Sequence, residues 1–460
     1  MKKIILFLLS WLLIVFSTLE GNADTNFKVV NGIIKFPEPK RIKGQEDVLA
    51  LRCDPIPEVR VAFIGIGMRG SKAVERYCQL EGVEIKALCD VNSLNVQDAK
   101  ATLKKFNKPA ADTYTGVEDW KKICKRPDID LIYICTPWEL HSPIAVYAMN
   151  HGKHAAVEVP AALTIQECWA LVDASERNRK HCIMLENCIY DYFEMATLNM
   201  SQKGVLGDLL YAEGAYIHDL RSLMFDEENG YWNMWRLKYN QKHTGNPYPT
   251  HGLGPIAHSL NIHRGDRMDY LVSMSTSQKG LTLHARQKYG DESPFVKQSY
   301  ALGDMNNTLI HTIKGKNLLI QHDISNPRPY NRLYTLVGTK GYIQKYPFPI
   351  ATIEPNSESV LTNGSVDSLL KVYEHPFYKE IGEKAREVGG HGGMDYVMDY
   401  RLIYCLHNGL PLDMDVYDAA EWSSIVELSE VSVLNGSAPV KVPDFTRGEW
   451  NKLEKLNYAW

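Results

Sequence analysis

The stretch Val59-Arg-Val-Ala-Phe-Ile-Gly65-Ile-Gly67-Met-Arg-Gly70 decides how the N-terminal half of this chain folds. Apolar, β-branched residues run into three glycines spaced G-x-G-x-x-G, and a helix-compatible segment follows at once. That is the pattern of the first turn in a dinucleotide-binding βαβ unit. Gly65 permits the tight turn, Gly67 lets backbone approach a pyrophosphate, and Gly70 lets the helix lie close on the strand. The start of the helix that follows offers unpaired N–H groups and a partial positive charge to phosphate. A second strand, Val83 to Asp90, ends in an acid about twenty residues beyond Gly70, where a carboxylate can hold the adenosine ribose diol. The same charge repels a ribose 2′-phosphate, which favours NAD over NADP.

Strand and helix patterns alternate from Val59 to Asn187. Helices are expected at Asn95 to Phe106, Asp119 to Lys125, Pro143 to Gly152, and from a Thr164 cap with Glu167 at the capping-box position. Strands are expected at Leu131 to Pro137, His154 to Pro160 and Cys182 to Asn187. Such alternation implies parallel pairing with right-handed crossovers, hence an α/β Rossmann domain with a doubly wound parallel sheet over 58–188. From Ile189 the pattern changes to longer strand-like runs joined by long Gly-, Asn- and Pro-rich connections, with two late helices from Met394 and Val416. This reads as an α+β domain with an open, mainly antiparallel sheet over 189–460. Residues 24–57 carry Pro37, Pro39, Pro55 and Pro57 with little periodicity, and read as an extended arm or linker.

At the N-terminus Lys2-Lys3 precede an apolar run from Ile4 to Phe16, followed by small and polar residues. This is the pattern of a secretory signal peptide over 1–23, cut after Gly21-Asn22-Ala23. It predicts an exported, periplasmic or secreted protein with no stable membrane span after processing; an uncleaved anchor is the alternative. The 460 residues are enough for two cores, and 45% hydrophobic and 23% charged residues are ordinary for globular chains. A formal net charge of −4 without a dense Lys/Arg block gives no electrostatic case for nucleic acid. Nine cysteines fall without a C-x-x-C pair or a metal-like cluster, so no metal is expected.

Further motifs narrow the reading. Thr136-Pro137…His141, Glu158-Val159-Pro160 and Asp415-Val-Tyr-Asp-Ala-Ala-Glu-Trp422 resemble the glucose–fructose oxidoreductase/inositol dehydrogenase superfamily. Within it, Trp138-Glu-Leu-His141, His218-Asp-Leu-Arg221, Tyr248-Pro-Thr-His251-Gly, Arg328-Pro-Tyr330 and Gly389-Gly-His391-Gly-Gly393 are similar to the NAD-dependent α-N-acetylgalactosaminidase family. The resemblance covers roughly 58–450. It departs from the broad superfamily at one telling place. Those dehydrogenases usually carry Glu-Lys-Pro, the lysine assisting proton removal, whereas Val159 has no proton to move.

The resemblance implies a retaining glycoside hydrolase that needs no pair of catalytic carboxylates. NAD would oxidise ring carbon 3 of a terminal α-linked N-acetylgalactosamine, carbon 2 would lose its proton as the glycosidic oxygen leaves, water would add, and the alcohol would be restored. Cofactor contacts implied by position are Met68, Arg69, Asp90, Trp138, Glu139, Leu140, His141, Glu158, Val159 and Asn187, beside the glycine turn. Substrate positions are Tyr216, Arg236, Tyr248, Pro249, Thr250, His251 and Tyr330. Proton transfer near neutrality suits histidine best, so His391, His251 and His218 are the catalytic candidates. His391 sits between two glycine pairs, as an imidazole on a bent or mobile loop would; His251 follows Pro249-Thr250 in an aromatic loop. The partner is a glycan, and superfamily relatives often pair through the open sheet face, which implies a homodimer. Two rivals remain open at this point: a periplasmic sugar oxidoreductase with net redox turnover, and a non-catalytic carbohydrate-binding protein.

Overall fold

The computed structural model describes residues 27–456 and 458. The signal-peptide reading lies outside the described residues. Among the described residues, no helix is long and apolar enough to cross a membrane.

Two sheets organise the molecule. The first has six strands in the order Asp112–Tyr114, Val83–Cys89, Val59–Ile64, Leu131–Ile134, His154–Val157 and Cys182–Met184. Every neighbouring pair in it is parallel. This is the 3-2-1-4-5-6 order of a doubly wound fold, whose ligands lie beyond the carboxyl ends of the strands where the order reverses. Its strands are buried on both faces, as Leu131–Ile134 and His154–Val157 show. The helix Ile165–Asn178 starts from Thr164 with the reciprocal capping box that Glu167 completes.

The second sheet has eleven strands and is antiparallel apart from two contacts, Asn317–Asp323 with Leu209–Ile217 and Val440–Lys441 with Ile33–Lys35. The proline-bearing segment read as an extended arm contributes to this sheet. Lys28–Val30 and Ile33–Lys35 form a hairpin that reaches the edge through Val440–Lys441. Its pairing partner lies some four hundred residues away, out of reach of local pattern reading. The helix Val416–Leu434, capped by Asp415 and Asp418, packs on Ile165–Asn178, Cys182–Met184 and Met268–Ser275, so it joins the two sheets.

A close crossing aims the second half at the first. The helix Thr250–Ser259 lies on the strand Leu209–Ile217, and glycines meet where they cross. A Cβ on Gly214 would stand 2.1 Å from the Gly252 carbonyl oxygen, and one on Gly252 would stand 2.3 Å from the Ala215 nitrogen. Only glycine permits this approach. It brings His251, in the first turn of the helix, beside Tyr216 near the end of the strand, with ring centroids 5.5 Å apart.

Candidate active site

One cavity of about 1290 Å³ runs from the glycine turn to the crossing of Leu209–Ile217 with Thr250–Ser259. It exceeds the roughly 300–1,000 Å³ typical of single small-molecule sites, as a cofactor with a sugar beside it would require.

At the first end, Gly65 has φ +81° and a Cβ there would lie 2.7 Å from the Cys135 backbone. A Cβ on Gly70 would come within 2.0 Å of the Gly65 carbonyl, so Gly70 serves packing beneath the turn. Gly67 differs. The nearest atom to its Cβ position is Asn95 Nδ2 at 3.6 Å, and Gly67, Met68 and Arg69 form cavity wall. Asp90 accepts the Ile66 and Asn92 backbone N–H groups, each at 2.8 Å, which fixes its carboxylate at the turn. The Thr136 hydroxyl is buried on the same wall without a partner. A backbone cradle, a fixed acid and an unpaired hydroxyl in one crevice fit a dinucleotide.

The strand exits carry the middle of the wall. Trp138, Glu139 and Leu140 form a short 3₁₀ turn, and the Trp138 indole donates to the Val159 carbonyl at 3.1 Å. His141 reaches the carbonyls of Pro160 (2.7 Å) and Thr136 (2.8 Å), so it ties two strand exits together, and burial pushes its pKa down. Val159 is buried.

Arg69 is fully engaged. Its Nε donates to Glu158 (2.6 Å), and its two terminal nitrogens donate to Asp395 at 2.9 and 3.1 Å. Asp395 also accepts from Asn187 Nδ2 and from His391 Nδ1, the latter at 2.9 Å. Burial alone would raise the Asp395 carboxyl; Arg69, the His391 hydrogen bond and Arg76 together hold it well below the usual carboxylate range. Asp395 thus links the cofactor turn to the glycine-bracketed histidine. Gly389, Gly390, Gly392, Gly393 and His391 itself all have positive φ, and the His391 side chain is 60% exposed.

At the far end, His251 Nδ1 donates to Glu186 at 2.7 and 2.9 Å, and its Nε2 lies 3.3 Å from the Tyr248 hydroxyl. Glu186 is wholly buried, which would raise its carboxyl, yet the charge and hydrogen bond of His251 hold it below its ordinary value. The sequence placed His251 in an aromatic loop; it lies in a helix instead, because the glycine crossing buries this turn. Tyr216 and His218 form a second pair, hydroxyl to Nδ1 at 3.1 Å. Burial and the nearby Arg236 charge push His218 below the ordinary histidine range.

Arg236 is 3% exposed and lies within 4.8–5.8 Å of the ring centroids of Tyr248, Trp138, Tyr231 and Tyr216. Its Nη1 donates to Tyr231 at 3.1 Å, while Nε and Nη2 have no partner. A buried guanidinium with unpaired donors is costly unless a ligand oxygen meets them. Three substrate expectations fall outside the cavity lining. Pro249 and the buried Thr250 start the helix, and Tyr330 stands behind His218, edge-on at 5.1 Å.

Sequence reasoning missed Glu186 and Asp395. Asp395 stands four residues after His391 and is signalled by helical spacing alone; Glu186 precedes Asn187 but is 65 residues from His251, with no local signal. Glu186, Cys188 and His251 also offer three metal-type ligand atoms within 4.8 Å of one another, but Arg332 Nη1 sits on the Cys188 sulfur at 2.7 Å and Glu186 holds His251.

Residues 59–186 match the NAD-binding Rossmann fold of an oxidoreductase family, and residues 190–452 match the C-terminal domain of glycosyl hydrolase 109. The chain belongs to glycosyl hydrolase family 109. It is 57% identical over 411 residues to an α-N-acetylgalactosaminidase of Bacteroides fragilis, covering 89% of this chain and 97% of the relative. A family 109 protein of Porphyromonas gingivalis is 51% identical over 441 residues, covering 93% and 92%. Among solved structures, a levoglucosan dehydrogenase with NADH and L-sorbose superposes with TM-score 0.64 at 18% identity, over 85% of this chain and all of that one. An aldose–aldose oxidoreductase from Caulobacter crescentus gives TM-score 0.60 at 15% identity over 84% of this chain and 99% of that one. These two likenesses bear on the fold alone. As a family 109 member with an NAD-binding domain, the chain is a glycosidase that uses NAD.

Proposed function

We propose that this family 109 enzyme removes terminal α-linked N-acetylgalactosamine from glycans with retention and no net redox change. The observation that carries the reading is the shared cavity. Its walls carry Gly67 and Asp90 together with Arg236, Tyr248 and carboxylate-anchored histidines, which supports a dinucleotide lying beside a sugar. The similarity to the Bacteroides fragilis α-N-acetylgalactosaminidase supports the choice of sugar.

Gly65, Gly67, the backbone of Met68 and Arg69, Asp90 and the Trp138–His141 turn would hold NAD, and the bound cofactor would supply reversible oxidation at ring carbon 3, acidifying the hydrogen on carbon 2. The chain's own residues then handle protons. Asp395 holds Nδ1 of His391, so Nε2 is the atom left to give and take a proton at the glycosidic or water oxygen. Glu186 does the same for His251, and the His251 Nε2–Tyr248 pair and the Tyr216–His218 pair serve the ring hydroxyl and carbon 2. Unpaired Arg236 donors meet a sugar hydroxyl or acetamido oxygen. Val159, in place of lysine, supports the hydrolytic reading over a net dehydrogenase.

Purified protein incubated with an aryl α-N-acetylgalactosaminide tests this. Hydrolysis without accumulating NADH is expected. Stoichiometric NADH would favour the oxidoreductase, and binding without turnover the carbohydrate-binding protein. Nucleotide-stripped protein that cleaves at undiminished rate would overturn the role of NAD.

The cofactor unit spans 58–188 and the substrate unit 189–460. The chain is exported, supported by Lys2-Lys3 and the run that follows; an intact Met1 on the mature protein would refute cleavage. A homodimer through the large sheet is supported by Met274 and Leu309, 65% and 44% exposed on adjacent strands.

A further inference from the structure

Seven of the tryptophans lie among the described residues, and Trp232 alone is exposed, at 58%. It stands on the wall of the active-site cavity. Its indole makes no hydrogen bond or ring contact among the described residues. Its neighbours are turned inward. Tyr231 holds Arg236 by its hydroxyl at 3.1 Å, and Trp235 packs edge-on against Trp138 with centroids 4.9 Å apart.

The segment around it is built to hold this arrangement. Asp226 accepts the Glu228 and Asn229 backbone N–H groups at 3.0 and 2.9 Å. Gly230 closes the turn so tightly that a Cβ there would stand 2.1 Å from the Leu223 carbonyl oxygen and 2.4 Å from that of Asp226. Asn233 and Met234 then both take left-handed backbone, φ +51° and +48°, a conformation that non-glycine residues seldom adopt in succession. Lys238 Nζ secures the Asn233 side chain at 2.7 Å. Strained backbone that turns two aromatics inward and leaves one bare beside a site points to use of the bare one.

Resting on the hydrolase reading above, we propose that Trp232 is the platform for the sugar on the leaving-group side of the scissile bond. The terminal sugar occupies the Arg236–Tyr248–His251 end, and the cofactor occupies the glycine-turn end. The rest of the glycan leaves through the mouth, where an indole face can pack on the C–H face of a pyranose. Glu227, Glu228 and Asn229 line the same wall and offer acceptors to that sugar's hydroxyls. The enzyme therefore prefers N-acetylgalactosamine α-linked to another pyranose over the same sugar on a small alkyl group.

The test compares kcat/KM for an α-linked N-acetylgalactosaminyl-hexose disaccharide with that for methyl α-N-acetylgalactosaminide, in wild type, Trp232→Ala and Trp232→Phe. The disaccharide-to-methyl ratio is expected to fall about tenfold in W232A, the size of one good aromatic contact, and to recover largely in W232F. A ratio preserved in W232A would overturn the proposal, as would equal loss on both glycosides or loss of bound NAD. If the wild type cleaved neither glycoside, the hydrolase reading would fail by itself. Quenching of indole fluorescence by the disaccharide, abolished in W232A, would then still report the platform, and its absence would refute it.

Discussion

His251 and His391 are anchored alike and placed unlike. Each gives Nδ1 to a carboxylate, Glu186 or Asp395, at 2.7–2.9 Å. His251 stands in a helix turn packed against a strand, over a wholly buried acid and beside the rings of Tyr216 and Tyr248. His391 stands mostly exposed on five consecutive positive-φ residues, and its acid belongs to the next helix. Under the proposed mechanism this contrast suits two tasks. A group that must stay registered against one sugar carbon gains from rigid packing, whereas one that serves first a leaving oxygen and then a water gains from a loop able to move.

Removing each imidazole should have the largest effect. His251→Ala and His391→Ala are each expected to lower kcat/KM on an aryl α-N-acetylgalactosaminide by roughly 10²–10⁴; an unaffected variant would strike that histidine from the mechanism. Next in size, Glu186→Gln and Asp395→Asn should each cost roughly 10–100-fold in kcat, the effect of losing an orienting partner. Combining D395N with H391A should add little, because both act through one proton carrier.

Asp395 also gives a pH signature. Its carboxyl is held below the usual range, so its contribution to stability is present above the unfolded value and is lost as pH falls through the folded one. The wild-type melting temperature should therefore drop in acid, with a shallower drop in D395N. Arg236→Met should raise KM about tenfold, the loss of one charged hydrogen bond, with a smaller change in kcat. The smallest effects sharpen the loop's part. Gly392→Ala meets no atom within 4 Å and bears only the left-handed backbone, about 1 kcal/mol. Gly390→Ala places its Cβ 2.7 Å from that of Asp395, so it should lower both melting temperature and kcat more than G392A.

Much of this was legible from sequence. The glycine turn, Asp90 and the Thr164 cap are short-range requirements, met within a few residues or along one strand. Most residues of the aromatic and histidine motifs line one cavity, although Pro249, Thr250 and Tyr330 lie outside its lining. The helices Trp235–Lys242 and Thr250–Ser259 were not legible, because their Gly, Pro and aromatic content imitates a loop until tertiary packing buries it. Glu186 and Asp395 carried no motif of their own.

By itself the sequence determined the parallel nucleotide-binding sheet, the preference for NAD and the family's set of polar side chains. Each of those rests on backbone torsion, side-chain alternation or charge at one place in the chain. Tertiary structure alone decided which carboxylate orients which histidine, that the Arg69 guanidinium is spent on Glu158 and Asp395, and that the N-terminal hairpin joins the far sheet. Apart from His391–Asp395, four positions apart on neighbouring turns, those pairings join residues from 65 to about 400 positions apart. They form only where buried charges must find partners and where glycines let two backbones touch, and no local pattern records which partner will be within reach.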